Sequence, residues 1–255
     1  MNTKLDILIT GANGNLGKRL VSRLERVPFA DVHIVNRVDG RFDFDKLSEQ
    51  IDRLGDSKIV FIHLAWNTVD RSHEMQHGCF LQTTKIAELC EKRSIRMMFI
   101  SSMSVKEKSR SNYGVNKFHA EKEVQKRGGY VIRPGLVLMV PAVGIQKVFQ
   151  NSALRFINIH FTSPELFVPV ILEHDFLESM CEQIFATSVC GAMEMYTEWV
   201  PLGQVGSYVQ KQNINRFKIR IKTRLLLDAL HFLKIFIRKI RELEDSFMAL
   251  VDINK

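Results

Sequence analysis

The chain has 255 residues, 45% hydrophobic and 25% charged, the balance of a soluble globular protein with room for a full core. Its net charge of +8 lies between Arg216 and Arg241, where nine basic residues accompany one acid, Asp228, so the remainder is neutral. That excludes a body built for nucleic acid, and no apolar run reaches the ~18 residues of a membrane span or resembles a secretory signal, so a cytoplasmic location is expected.

In chain order, strands are predicted at 5–10, 32–35, 58–65, 97–101 and 130–133, alternating with helices at 16–26, 44–54, 75–93 and 113–127. The helices carry apolar residues at three- and four-residue spacing, as in Leu16, Leu20, Val21 and Leu24. Short strands separated by helices of ten or more residues imply βαβ crossovers and a doubly wound parallel α/β sheet. Beyond Pro134 and Gly135 the pattern loosens. Residues 136–164 are mixed, with Pro141 and Gly144 marking a loop, before a strand at 167–172 and a helix at 175–185 that Asp175 is expected to cap. Cys79, Cys90, Cys181 and Cys190 form no C-x-x-C pair and no metal-ligand cluster, and read as small hydrophobes in a reducing compartment.

The run Thr10-Gly11-Ala12-Asn13-Gly14-Asn15-Leu16-Gly17 closes the first strand and opens the first helix. Gly11 permits a tight turn, Gly14 lets the backbone approach a pyrophosphate, and Gly17 lets helix and sheet pack closely. The helix N-terminus offers unpaired N–H groups to phosphate. The fold class is therefore a Rossmann-type sheet with a small C-terminal substrate lobe. Residues 1–135, joined by about 165–190, form the dinucleotide domain; 136–164 and 191–255 form the lobe. Where an NAD site carries an acid for the ribose 2′-hydroxyl, this chain has Asn36-Arg37, so NADP is expected in preference to NAD. The competing reading leaves Arg37 solvated and gives the ribose to Asp39.

Tyr113 and Lys117 stand four residues apart on one predicted helical face. A phenol has an unperturbed pKa near ~10, and a neighbouring ammonium favours its ionised form. Ser101 and Ser102 end the preceding strand, at the sheet edge where ligands bind.

These residues carry a resemblance. T-G-A-N-G-N-L-G, His63-Leu64-Ala65, Phe99-Ile100-Ser101-Ser102, Y-G-V-N-K at 113–117, Arg133-Pro134-Gly135 and Phe167-Val168-Pro169-Val170 with Asp175 resemble the extended short-chain dehydrogenase/reductase family, the branch of nucleotide-sugar epimerases, dehydratases and reductases, over about residues 1–190. The resemblance implies Tyr113 as proton donor or acceptor, Lys117 as its partner on the nicotinamide ribose, and Ser102 polarising a substrate oxygen. It implies that Gly11, Asn13, Gly14, Asn15, Leu16 and Gly17 hold the pyrophosphate, with Asp43 and Phe44 near the adenine. Leu64, Ala65 and Trp66 would line the cofactor, and Pro134, Gly135 and Leu136 would pass under the nicotinamide. The implied function is an NAD(P)-dependent reductase or epimerase acting on a keto or hydroxyl carbon of a nucleotide-linked sugar, in surface polysaccharide biosynthesis. The alternative is a non-catalytic dinucleotide sensor or scaffold.

The sequence departs from the family in places. Met103-Ser104 replace the Asp-Glu pair of the dehydratases, Cys79 stands where relatives often carry Asn, and Tyr113 follows Ser102 by only eleven positions. That loop is basic through Lys106, Lys108 and Arg110. With Lys147 and Arg155 it offers candidate ligands for a substrate diphosphate, or is a solvated surface.

From Arg224 to Arg241 the polar residues fall on one narrow helical stripe and the rest are Leu, Ile and Phe. This basic amphipathic helix is read as packing on its own lobe or on a homodimer partner, or as a peripheral membrane contact through residues 216–241.

Overall fold

The computed structural model describes residues 4–36, 42–55, 57–139, 157–161, 167–186, 191–201, 205 and 217–221. Six parallel strands form the main sheet: β1 (Leu5–Thr10), β2 (Ala30–Val35), β3 (Lys58–His63), β4 (Arg96–Ile100), β5 (Tyr130–Pro134) and β9 (Ala192–Met195). Their order is β2-β1-β3-β4-β5-β9. From β1 the chain winds first to one side and then returns to the other. The carboxyl ends of β1 and β3 therefore flank the point where the winding reverses, which in open α/β sheets is where ligands sit.

Alternating strand residues supply two cores. Ile7, Ile9, Val60, Ile62, Met98, Ile100 and Ile132 face one side, against Leu20 and Leu24 of α1 (Asn15–Leu24) and Phe176, Met180 and Ile184 of α5 (Glu173–Phe185). Leu8, Phe61, Met97, Phe99 and Val131 face the other. There they meet α2 (Phe44–Leu54), α3 (His73–Lys92) and α4 (Asn112–Lys126) through Leu47 and Ile51, Ile86 and Cys90, and Ala120 and Val124. A parallel sheet buried on both faces demands such near-continuous apolar strands, because both side-chain sets of the two-residue period lie in a core.

The predicted elements up to residue 135 are all present, with ends displaced by up to two residues. Asp175 does not cap α5. The N-cap position is Leu172, without a side-chain bond, and Asp175 lies in the first turn, 3.5 Å from the Thr197 hydroxyl. Arg96 donates to the carbonyls of Ile184 and Ala186 at the other end of α5, where a cation is favoured.

The region after residue 135 differs more from expectation. A second sheet, ordered β10-β8-β6, joins β6 (Leu136–Leu138), β8 (Phe167–Leu172) and β10 (Glu198–Pro201). Thus β8, expected within the main body, pairs outside the main sheet, whereas β9, expected in the lobe, is the sixth strand of that sheet. Gly135 is the corner between the sheets. Its N–H bonds to Met195 O at 2.9 Å, and a Cβ there would stand 2.5 Å from Pro169 O. Residues 217–221, read as part of the basic tail, are strand β11 (Phe217–Ile221), paired in parallel with β7 (Ile157–Phe161). The R-F-K-I-R-I run at 216–221 alternates with a period of two, which suits a strand. Arg37, Asp39, Lys147, Arg155, Cys190 and the 224–241 stripe lie outside the described residues.

Candidate functional site

The glycine turn sits at the carboxyl end of β1. Gly11 has φ +76°, and a Cβ on it would lie 2.8 Å from Ala65 N. A Cβ on Gly17 would overlap Gly11 O and stand 2.8 Å from Ala12 Cα. Both positions therefore exclude any side chain, and the turn lies directly against the chain leaving β3, where Leu64 N bonds to Thr10 O at 3.2 Å. Gly14 is the N-cap of α1 and its N–H returns to Gly11 O at 3.0 Å. α1 has neither a side-chain cap nor an acid in its first turn, whereas α2, α3 and α4 are capped by Asp43, Ser72 and Ser111. Its N–H groups stand open to an anion. Asn15 is exposed, Leu16 packs on the core, and Asn13 bridges to Asn36 at 3.0 Å, tying the turn to the end of β2.

Beneath the turn, His63 Nδ1 lies 2.6 Å from Thr10 Oγ1, and Nε2 lies 3.0 Å from Thr83 Oγ1. Thr83 donates its proton to Cys79 O at 2.8 Å. Thr83 can then only accept from His63, so the imidazole carries its proton on Nε2 and accepts from Thr10 through Nδ1. The network joins β1, β3 and α3 beneath the glycine turn.

Ser111 caps α4 by accepting from Gly114 N at 3.0 Å, which fixes the first turn bearing Tyr113. Tyr113 is 8% exposed and Lys117 3%. Lys117 donates to Ile100 O, at the end of β4, at 2.9 Å, and its ammonium lies 5.2 Å from the Tyr113 ring centroid and 5.2 Å from that of Trp66. Trp66 meets Tyr113 edge-on at 6.3 Å. The tyrosine, lysine and tryptophan named from sequence thus form one packed cluster.

Ser102 accepts from Ser104 N at 3.2 Å and shares a hydrogen bond with Ser104 Oγ at 2.9 Å. When Ser104 supplies that proton, the Ser102 hydroxyl is free to donate to a ligand oxygen. Ser101, the other strand-end serine, has its Oγ buried without a hydrogen-bond partner among the described residues. Met103 N bonds to Pro134 O at 3.0 Å, so the serine strand end is fastened to the Arg133-Pro134-Gly135 corner. Leu136 is half-buried at the start of β6.

Asp43 and Phe44 stand at the start of α2. Asp43 caps α2, accepting from Lys46 N at 3.1 Å, and that bond holds its carboxyl below the usual range. Phe44 lies 6.5 Å from Phe42, with the Lys85 ammonium 5.6 Å from its ring. Both residues serve the start of α2, although Phe44 packs on the same core as Ala65 and Trp66. A separate surface cavity of about 560 Å³ opens at the amino ends of β3 and β4, lined in part by Ser57, Lys58, Arg93 and Arg96. None of the described candidate residues lines it.

The sequence reading missed Arg71 and Gln76. Arg71 lies over the Tyr113 ring with its guanidinium carbon 4.1 Å from the centroid. Gln76 is fully buried. Neither belongs to a motif, and one arginine in a loop or one glutamine in a helix cannot be told from solvated surface by spacing alone.

No protein-family model and no curated protein matches the sequence. Solved structures do match. A UDP-N-acetylglucosamine 4-epimerase from Bacillus cereus is 14% identical over 87% of this chain and 91% of that chain, with a TM-score of 0.64. A dTDP-4-dehydrorhamnose reductase from Bacillus anthracis strain Ames, in complex with NADP, is 16% identical over 96% and 98%, with a TM-score of 0.66. The Bordetella bronchiseptica enzyme WbmG, in complex with NAD and UDP, is 16% identical over 84% and 82%, with a TM-score of 0.61. At these identities the likeness is one of fold, a Rossmann-type sheet flanked by helices.

Proposed function

We propose that this protein is an NAD(P)-dependent reductase or epimerase acting on a keto or hydroxyl carbon of a nucleotide-linked sugar. The observation that carries the reading is the convergence of Tyr113 and Lys117, on one turn of α4, with a glycine turn whose Gly11 and Gly17 leave no room for side chains. The names of the neighbouring structures, two of them complexes with NADP or with NAD and UDP, support the cofactor and the substrate class.

The residues fit a dinucleotide. The uncapped N-terminus of α1 with Gly11, Asn13, Gly14, Asn15, Leu16 and Gly17 would hold the pyrophosphate, and Ala65, Trp66 and Lys117 would line the nicotinamide half. When bound, the nicotinamide supplies or takes up hydride. The protein's own part is proton handling. Tyr113 gives a proton to the substrate oxygen, or removes it in the reverse direction, and Lys117, fixed by Ile100 O, places positive charge beside the ring as the phenolate forms. Ser102, supported by Ser104, donates to the same oxygen. Trp66 and the buried position of the pair keep water from the reacting atoms.

The NADP preference rests on Asn36-Arg37 in the sequence, and titration with NADH and NADPH tests it. Tighter NADH binding would overturn it. Tyr113→Phe tests the enzyme reading: turnover falls by roughly a hundredfold or more while NADPH still binds. In the rival reading, a dinucleotide-binding sensor, the wild type has no turnover to lose. Net consumption of added NADPH distinguishes the reductase from the epimerase, which would turn over its substrate without it.

A further inference from the structure

The loop between β3 and α3 is built around one side chain. Asn67 Oδ1 accepts from Val69 N and Asp70 N, both at 2.9 Å, and Asp70 Oδ1 accepts from Ser72 N at 2.9 Å. Gln76 donates to Asn67 O at 2.9 Å and Asp70 O at 2.6 Å, and accepts from the Trp66 indole at 2.7 Å. Asn112, beside Tyr113, holds Arg71 O at 3.2 Å. In this frame Arg71 Nε donates to Thr68 O at 3.0 Å, and the guanidinium lies against the Tyr113 ring.

Stacking occupies the face of a guanidinium and leaves its in-plane N–H donors unspent. One of them, Nη1, is buried and has no hydrogen-bond partner among the described residues. Arginine stays charged at any working pH, and buried donors on a charged group are seldom left unpaired. The residue as a whole is half-buried.

We propose that Arg71 anchors an oxyanion of the substrate, a carboxylate or a phosphate, beside the carbon that Tyr113 serves. This deepens the function proposed above and rests on Tyr113 being the proton-transfer residue. It moves the anion receptor from the basic loop at 106–110 to the β3–α3 loop. A planar fork suits either oxyanion, since both accept paired N–H bonds.

The test is calorimetric titration of wild type and Arg71→Met, saturated with NADPH, with three probes: inorganic pyrophosphate, UDP-glucose and UDP-glucuronate. The expected result is a loss of affinity of roughly tenfold or more in the variant. A loss confined to UDP-glucuronate identifies a sugar carboxylate; a loss shared by all three identifies the diphosphate. Equal binding by wild type and variant, or no binding of any probe by wild type, overturns the proposal. NADPH titration of the same samples reads the dinucleotide site separately. Its failure sinks the proposed function; where it succeeds, the probe affinities bear on Arg71 alone. A purely structural Arg71 would lower the melting temperature and kcat while leaving probe affinity unchanged. If Arg71→Met does not fold, Arg71→Lys carries the test, because it keeps the charge but loses the fork and should bind the same probes more weakly than wild type.

Discussion

Gly17 is held to glycine by the backbone. An added methyl group would meet Gly11 O and Ala12 Cα, neither of which can rotate away. Gly17→Ala is expected to cost ~1–3 kcal/mol of stability and to weaken NADPH binding more than tenfold, as read by denaturant titration and fluorescence. Cys90 shows a different residue-scale effect. Burial pushes its thiol up to about 12 from an ordinary 9.0. Above pH ~9 the unfolded chain then sheds a proton that the folded chain keeps, so the unfolded state binds fewer protons and stability falls as pH rises. The expected slope approaches ~1.4 kcal/mol per pH unit between about 9 and 12. It should be smaller by that amount in Cys90→Ala, as measured by denaturant unfolding at each pH. At this scale the sequence made legible the residues that chemistry forces into a motif, the glycines and the Tyr113–Lys117 pair. Ser104 and Arg71 were not legible, because both lie in loops without periodicity, and Arg71 meets a residue distant in the chain, Tyr113.

Among the elements, α4 carries the most consequence. Its start is capped by Ser111, and its middle is fastened to β5 by Arg133, whose Nε lies 3.0 and 3.1 Å from the two Glu121 carboxylate oxygens and whose Nη2 lies 2.6 Å from one of them. Glu121 is 0% exposed. The charge of Arg133 is also favoured by Glu194 on β9. Arg133→Met would strand the buried carboxylate and is expected to cost ~3–5 kcal/mol, measured by urea denaturation. Adding Glu121→Gln should recover part of the loss. Helices and long strands were legible because apolar spacing repeats several times within them. Strands β6, β9 and β10 have three or four residues each, too few for a period to establish itself, so spacing alone does not reveal them or their sheet partners.

Over the whole molecule, the two-faced core explains why the main sheet was readable and the second was not. A sheet covered on both sides needs uninterrupted apolar strands, while a small lobe is set by pairings between distant segments. The basic tail belongs to this scale as well. Since residues 217–221 pair with β7, the informative truncation removes only residues from Lys222 onward. If the tail is a peripheral membrane contact, that truncation abolishes co-sedimentation with anionic vesicles. If it packs on a second copy, sedimentation velocity should show loss of the dimer instead. The Gln76 clamp has a broader consequence. Val69 is 75% exposed, yet its own N–H and its neighbours' polar groups are bonded within the loop, so this wall of the cleft arrives already shaped rather than closing around its guest. Selectivity on that side is written in side chains, and retuning it by substitution should succeed where grafting a loop of another length would unfasten Trp66 and Arg71 together.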